Sequence, residues 1–354
     1  MNAPFYKRTA SITEANLSDR DEVAALEAFV EGEGGSLFHR PAWLRAVETG
    51  TGQEARGLVA QHGGAMVGWL PFTLCHSPLF GRAMISSGFG VGGGVLAAHT
   101  ATAMALGEAA QNLAHRLSCD TIELRGGTVA EGWNTVTDSH CGFVRDLADD
   151  DEAQLLAIPR KQRAEIRKSL KQDFQVSIGS SKDDRAAHYE VYAQSVHNLG
   201  TPVFPRRLFD AMGDTFRETS DILTVRDGDI PVASVLSFYH DGAVMPYWGG
   251  GTRAARHLRA NERMYFELML HARRRNMQRF DFGRSKTGSG PYAYKKNWGF
   301  SSRPLKYAYW TQPGGKPRDL SPANDAYARK IAVWKRLPLS VANRLGPHIA
   351  KGLA

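Results

Sequence analysis

The sequence is poor in cysteine, with three in 354 residues (Cys75, Cys119 and Cys141) and no spacing suited to a metal. So few, so placed, exclude a disulfide scaffold and a zinc site, and they are expected as small buried hydrophobes in a reducing compartment. No uncharged apolar run approaches the roughly 18–20 residues that a membrane-crossing helix needs. The N-terminus, MNAPFYKRTASITEANLSDRDEV, lacks an apolar core and carries acids early, so no secretory signal is expected there and the cytoplasm is the expected compartment. There is no G-x-S-x-G elbow and no Cys–His pairing, so a covalent nucleophile is not expected. Acidic residues run short in one place only. Residues 1–252 carry a net charge of −9, whereas residues 253–300 carry +9 and residues 301–354 carry +8. A chain so divided suits an anionic partner, namely phosphate, nucleic acid or an anionic membrane surface; solvated helix faces are the plain alternative.

What the sequence does contain is a repeat. LFHRPAWLRAV (37–47) parallels VFPRRLFDAM (203–212), and GLVAQHGGAMVGWLPFTL (57–74) parallels ILTVRDGDIPVASVLSFY (222–239). ISSGFGVGGGVL (85–96) then parallels AVMPYWGGGTRA (243–254), and ALGEAAQNLAHRLSCDTIELRGG (105–127) parallels MYFELMLHARRRNMQRFDFGRS (264–285). Each half reads as a helix, then two strands joined by a tight turn (HGG at 62–64, DGD at 227–229), a third strand ending in three glycines, a long helix and a closing strand. That order predicts a mixed α/β sheet with helices on its faces, built twice. Between the repeats, one basic helix is expected over 152–172, a strand over 174–178 and a helix over about 183–197. Beyond residue 310, Ser321 as N-cap and Pro322 at the first helical position announce a tail helix with an apolar stripe of Tyr327, Ile331 and Trp334. The expected domains are therefore 1–150, 151–310 and a basic amphipathic helical tail, 311–354.

The strand–helix order resembles the GNAT acyltransferase fold in tandem. In that fold two central strands part, and the following helix turns its N-terminus to phosphates of the acyl donor. Glycine-rich loops suit such an approach, or merely permit a bulge. Two stretches resemble the Fem aminoacyltransferase family: RFDFGRSKTGSGPYAYKKNWGF (279–300) and RKQRAEIRKSL (160–170). With HNLGTPVFPRRLFDAM (197–212), the set is similar to the FemAB-related branch associated with PEP-CTERM/exosortase exopolysaccharide systems. The resemblance implies aminoacyl transfer from charged tRNA to amines of peptidoglycan precursors, with no other cofactor required. It also implies a phosphorylated or lipid-linked envelope precursor as partner, and no stable protein partner. CoA-dependent GNAT enzymes carry a Gln/Arg-x-x-Gly-x-Gly/Ala loop, and no match to it stands out in WGGGTRAARHLRANER (248–263).

On that resemblance, Lys295, in Tyr294-Lys295-Lys296, is the expected cation at the reaction centre, where it would stabilise the oxyanion or hold a carboxylate of the acceptor. Lys296 carries a weaker form of the same expectation. Arg284 and Lys286, beyond the last core strand, would clamp a diphosphate or a tRNA acceptor end, unless Arg284 pairs with Asp281. Arg160, Arg163 and Arg167 share a helix face, and the family uses basic residues in this region for precursor phosphates; a charged surface near Glu165 and Asp173 is the alternative. His197 is a candidate base or a helix cap. Tyr247 and Trp248 would line a pocket or enter the core. The tail, 320–354, would lie on a membrane at the inner face or pack on the second domain. Two rival readings stay open. One is a CoA-dependent N-acyltransferase acting on an amino sugar or amino acid, and the other is a non-catalytic RNA-binding or scaffold protein.

Overall fold

The computed structural model describes residues 10–78, 81–315 and 331–353. They form two compact units. One draws on the chain up to Val136 and again from Lys306; the other draws on Thr137–Leu305 and on the C-terminal stretch as far as Lys351.

The first unit comprises β1 (Ser11–Glu14), α1 (Arg20–Gly32), α2 (Pro41–Thr51), β2 (Glu54–His62), β3 (Ala65–Ser77), β4 (Gly81–Ile85), β5 (Leu96–Ala97), α3 (Thr100–Arg116), β6 (Thr121–Arg125) and β7 (Asn134–Val136). Its sheet runs β1-β2-β3-β4-β6, with β4 and β6 parallel and β5 paired to β3. The expected hairpin is present, and Gly63 and Gly64 take the positive φ its turn requires (59° and 86°). One expectation fails. The third strand ends at Ile85, not at the glycines, because Ser87 (φ 51°) and Phe89 (φ 61°) turn the chain out of extended conformation.

The second unit comprises β8 (His140–Asp146), α4 (Asp151–Ala157), α5 (Arg160–Ser169), β9 (Phe174–Gly179), α6 (Lys182–Leu199), α7 (Arg206–Thr215), β10 (Ser220–Asp227), β11 (Ile230–His240), β12 (Ala243–Gly251), α8 (Arg253–Leu258), α9 (Ala260–Arg274), β13 (Arg279–Lys286), α10 (Gly290–Asn297) and β14 (Ser302–Pro304). Its sheet runs β14-β8-β13-β12-β11-β10-β9, with only β12 and β13 parallel. The duplicated order of helix, hairpin, third strand, helix and closing strand is thus built twice.

Two strands depart from the simple division of the sequence. Residues 137–150, read as the end of the first domain, supply β8, which pairs along β13 in the second sheet. β15 (Tyr307–Thr311), read with the second repeat, pairs with β6 and β7 in the first sheet. The single helix expected over 152–172 is also two. Pro159 has no N–H to give, and Ile158 before it is extended (φ −81°, ψ 137°), so α4 stops at Ala157 and α5 begins at Arg160.

α6 starts at a capping box, Ser181 with Asp184, and ends at Gly200 in the left-handed region (φ 85°). It lies on one face of the second sheet, where His188 Nδ1 is 3.1 Å from Ser234 Oγ. Ala233 and Val235, the alternate residues of β11, join α9 residues Met264, Leu268 and Met269 in the core on the other face. The N-cap expected at Ser321 and the stripe residue Tyr327 lie outside the described residues; the tail is described from Ile331, and its last helix is Leu339–Ala350. All three cysteines are buried, as expected for small hydrophobes. No helix among the described residues is long and apolar enough to cross a membrane.

Candidate active site

In the second unit β12 and β13 pair at two positions only, Ala243 with Arg279 and Val244 with Phe280. Beyond them the strands part. β12 stays with β11, its register shifted at Leu236/Ser237 so that Tyr247 forms a bulge. β13 turns to β8 with a register shift between Asp281 and Arg284. At that shift Gly283 adopts φ 67°, and its N–H donates to Asp281 Oδ1 at 2.8 Å. The gap opens at the C-terminal ends of two parallel strands, where sheets of this kind place ligands.

α10 covers the end of β13. Ser289 caps it, accepting from the Tyr292 N–H at 3.3 Å, and the helix delivers Lys295 to the bulge. Lys295 is 9% exposed. Its Nζ donates to the carbonyls of Arg284 (2.8 Å) and Gly283 (3.3 Å), with the rings of Phe143 and Phe282 at 5.4 and 5.5 Å. Burial pulls the ammonium down to about 8; Asp281 opposes the shift and Arg284 adds to it. Burial likewise raises the Asp281 carboxyl. An ammonium has three N–H donors, and two go to these carbonyls, which leaves one for an incoming oxygen.

Behind α10 stands a second ionisable group. Glu262, in the first turn of α9, is half-buried, and burial raises its carboxyl above the usual range. Gln162 of α5 faces it; burial raises the hydroxyls of Tyr265 and Tyr294, and the nearby Glu262 charge adds to both shifts. The rings of Tyr265 and Tyr294 lie 6.1 Å apart, and each is within 6.2 Å of Trp298. The Tyr294 hydroxyl has no hydrogen-bond partner among the described residues.

The structure gathers some of the expected site residues and scatters others. Tyr294, Lys295 and Lys296 share α10; Arg284, half-buried, and Lys286, exposed, end the strand beneath it. Tyr247 lies across the gap on β12. Trp248 turns into the core on the α6 face, its ring centroid 5.2 Å from that of Phe209 and 6.2 Å from that of Phe204, so it is a packing residue. Arg160 and Arg167 are exposed on α5, and Arg163 Nη1 donates to the carbonyl of Leu156 at 3.0 Å. Glu165 of the same helix binds Arg259 at the start of α9, which fixes α5 beside the β12–α9 connection. His197 lies in the last turn of α6, and its Nε2 donates to the carbonyl of Trp334 at 3.1 Å. Its contact is thus with the tail and not with the carbonyls of its own helix, on the sheet face opposite α9. Nothing in the sequence pattern marks Glu262: one carboxylate among the charges of a helix start reads as a dipole partner, and only burial distinguishes it.

The corresponding gap in the first unit is closed by its own chain. β4 and β6 pair from Ala83–Thr121 to Ile85–Glu123, and the loop after Ile85 then folds back. The Arg125 N–H donates to Ser86 Oγ (2.8 Å), the Gly94 N–H donates to the Arg125 carbonyl (3.0 Å), and Arg125 Nη1 donates to the Gly90 carbonyl (2.6 Å). A Cβ on Gly94 would stand 1.9 Å from the carbonyl oxygen of Gly126, so the loop can lie there only without a side chain.

The buried lysine makes a prediction about stability. The unfolded chain holds the Lys295 proton up to about pH 10.5, whereas the folded chain releases it near 8. Between these values the unfolded state binds more protons, so folding gains stability as pH rises, on the order of 3 kcal/mol for this group. Urea unfolding of wild type and Lys295→Met near pH 7 and near pH 10 should show the wild type improving relative to the variant by about that amount. A difference that stays constant with pH would mean that Lys295 is not desolvated.

Residues 160–296 match the family described as Acetyltransferase (GNAT) domain. No curated protein matches in sequence. Among solved structures, FemX is similar at 14% identity and a TM-score of 0.63, over 81% of this chain and 95% of that one. A tandem GNAT protein from the clavulanic acid biosynthesis pathway is similar at 12% identity and 0.58, over 88% and 100%. The C-terminal domain of a putative lysylphosphatidylglycerol synthetase from Agrobacterium fabrum is similar at 10% and 0.55, over 84% and 94%. The fold is mixed α/β and GNAT-like, with two mixed sheets, and the stretch that matches the acetyltransferase domain family, residues 160–296, lies in the second unit.

Proposed function

We propose that the second unit is the catalytic one and transfers an aminoacyl or similar acyl group to an amine of a cell-envelope or exopolysaccharide precursor. The observation that carries this reading is the parting of β12 and β13 with a desolvated ammonium, Lys295, under the bulge on its far side. The acceptor amine gives its proton to the Glu262 carboxylate and attacks the donor's carbonyl carbon. Lys295 holds the developing oxyanion with its remaining N–H. The carbon–oxygen bond of the donor ester then breaks, an amide is left, and the proton passes to the departing hydroxyl. Asp281, hydrogen-bonded to the Gly283 N–H, keeps the bulge in shape and supports the charge on Lys295. Arg160, Arg163 and Arg167 with Arg284 and Lys286 supply cations for phosphates of either substrate. His197 is left to hold the tail.

Among the similar structures, one belongs to a putative lysylphosphatidylglycerol synthetase and another is a tandem GNAT protein solved without AcCoA, so an aminoacyl and an acetyl donor are the two to compare. The absence of the usual CoA loop from residues 248–263 favours aminoacyl-tRNA. The purified chain should form an amide on envelope-precursor amines when given charged tRNAs, and should not do so with acetyl-CoA. Transfer from acetyl-CoA alone would replace the donor. Salt-sensitive RNA binding without transfer, unchanged by Lys295→Met, would replace the enzyme reading altogether.

A further inference from the structure

We propose that the second unit docks on an anionic lipid bilayer through a surface built from the C-terminal end of α6 and the tail, residues 331–351. The tail is held to α6 by its small residues. Ala342, Gly346 and Ala350, four apart, are buried, and a Cβ on Gly346 would lie 2.9 Å from the Val203 nitrogen. Gly200, just past α6, packs against Ile331 and the Lys335 stem, and His197 Nε2 holds the Trp334 carbonyl.

This packing is inverted relative to an ordinary docked helix, which buries its large apolar side chains. Here Val333 is 62% exposed, Leu345 47% and Val341 40%, and Leu199 beside Gly200 is 56% exposed. Four of the nine large hydrophobics exposed among the described residues thus come from the tail and the adjoining end of α6, which evenly scattered exposure would not give. The same surface is cationic. Residues 331–354 carry Lys335, Arg336, Arg344 and Lys351 and no acid. Arg206 and Arg207 are exposed at the start of α7, and Arg253 reaches Asn198 at the end of α6 (3.2 Å). Exposed aliphatic side chains among cations match the boundary between anionic headgroups and acyl chains. RNA would ask instead for exposed aromatic rings to stack on.

Arg253 opens α8 two residues after the last glycine of β12, so the surface adjoins the mouth of the opened sheet. A bilayer there would bring a lipid-linked acceptor to the site. That consequence rests on the acyl-transfer reading, whereas docking itself does not.

The test is flotation of the full chain with vesicles of phosphatidylcholine alone or mixed with phosphatidylglycerol. The chain should float with the anionic vesicles only, and less as salt rises. Arg344→Glu with Lys351→Glu should weaken partitioning at least roughly fivefold per removed cation. Val341→Ser with Leu345→Ser, at exposed positions and checked by an unchanged melting curve, should weaken it while leaving transfer to a water-soluble amine unchanged. Failure to float with anionic vesicles, or equal flotation of both double variants and wild type, would overturn the proposal. So would binding to single-stranded RNA that outcompetes the vesicles. A chain that floats but transfers nothing would leave docking standing and remove only the acyl-transfer reading.

Discussion

Replacing Lys295 by methionine is expected to lower kcat/KM for acyl transfer by about 10²–10³-fold, the usual cost of removing one oxyanion donor, with the fold intact. The side chain is buried among Phe143, Phe282 and two carbonyls, a site that accepts a methionine of similar length. The charge there is held against its own desolvation, which is the mark of a group kept for chemistry and not for stability. The two effects therefore part company: activity should collapse while resistance to urea near neutral pH does not fall. Lys295→Arg should not rescue, because a planar guanidinium cannot fill the space of a compact ammonium under the Gly283 bulge. Steady-state rates on a saturating acceptor, with melting curves for each variant, are the measurements. A Lys295→Met enzyme within threefold of wild type would remove Lys295 from the reaction centre, and the proposed mechanism with it.

How much of this was legible in the sequence follows from which interactions are local. The hairpin turns at 62–64 and 227–229 and the helix expected over about 183–197 show themselves within a few residues, and all are present, as is the order of the repeat. Lys295 shows itself through the motif around it, although the helix α10 that carries it is hidden, because Gly288, Ser289, Gly290 and Pro291 read as loop and act here as a helix start. The break between α4 and α5 turns on one proline. The pairing of β8 with β13 and of β15 with β6 cannot be read locally, since a strand's partner is chosen by tertiary packing. Trp248 was ambiguous for the same reason: the bulge at Tyr247 decides which face each aromatic takes, and a bulge leaves no mark in composition. Glu262 is the largest omission, because its raised carboxyl comes from burial, and the residues around it, Gln162 and Tyr294 among them, stand as much as 132 positions apart in the chain.

Glu262 also carries the second large effect. Glu262→Gln keeps size and hydrogen-bonding capacity but cannot take a proton, so transfer near neutral pH should fall by about 10²–10⁴-fold, the range for loss of a general base. The direction of the carboxyl's shift sets the pH profile. Burial raises it, so in the wild type the base is lost as pH falls through that raised value, earlier than an ordinary glutamate would be. In the variant this limb should disappear and be replaced by a steady climb with pH, as more of the acceptor amine arrives already deprotonated. The alkaline side should be unaffected, since it belongs to the loss of the Lys295 proton near 8. A structural carboxylate would behave differently: its loss would lower the rate equally at all pH values and would lower stability too. Glu262→Asp separates the cases further, because it restores the acid limb while withdrawing the charge by one methylene from Tyr294, and so should recover the shape of the profile before its height. A Gln variant that kept both the wild-type rate and the wild-type acid limb would assign the base elsewhere, and the half-buried carboxylate beside Tyr265 and Tyr294 would then be a helix-start residue held in place by packing.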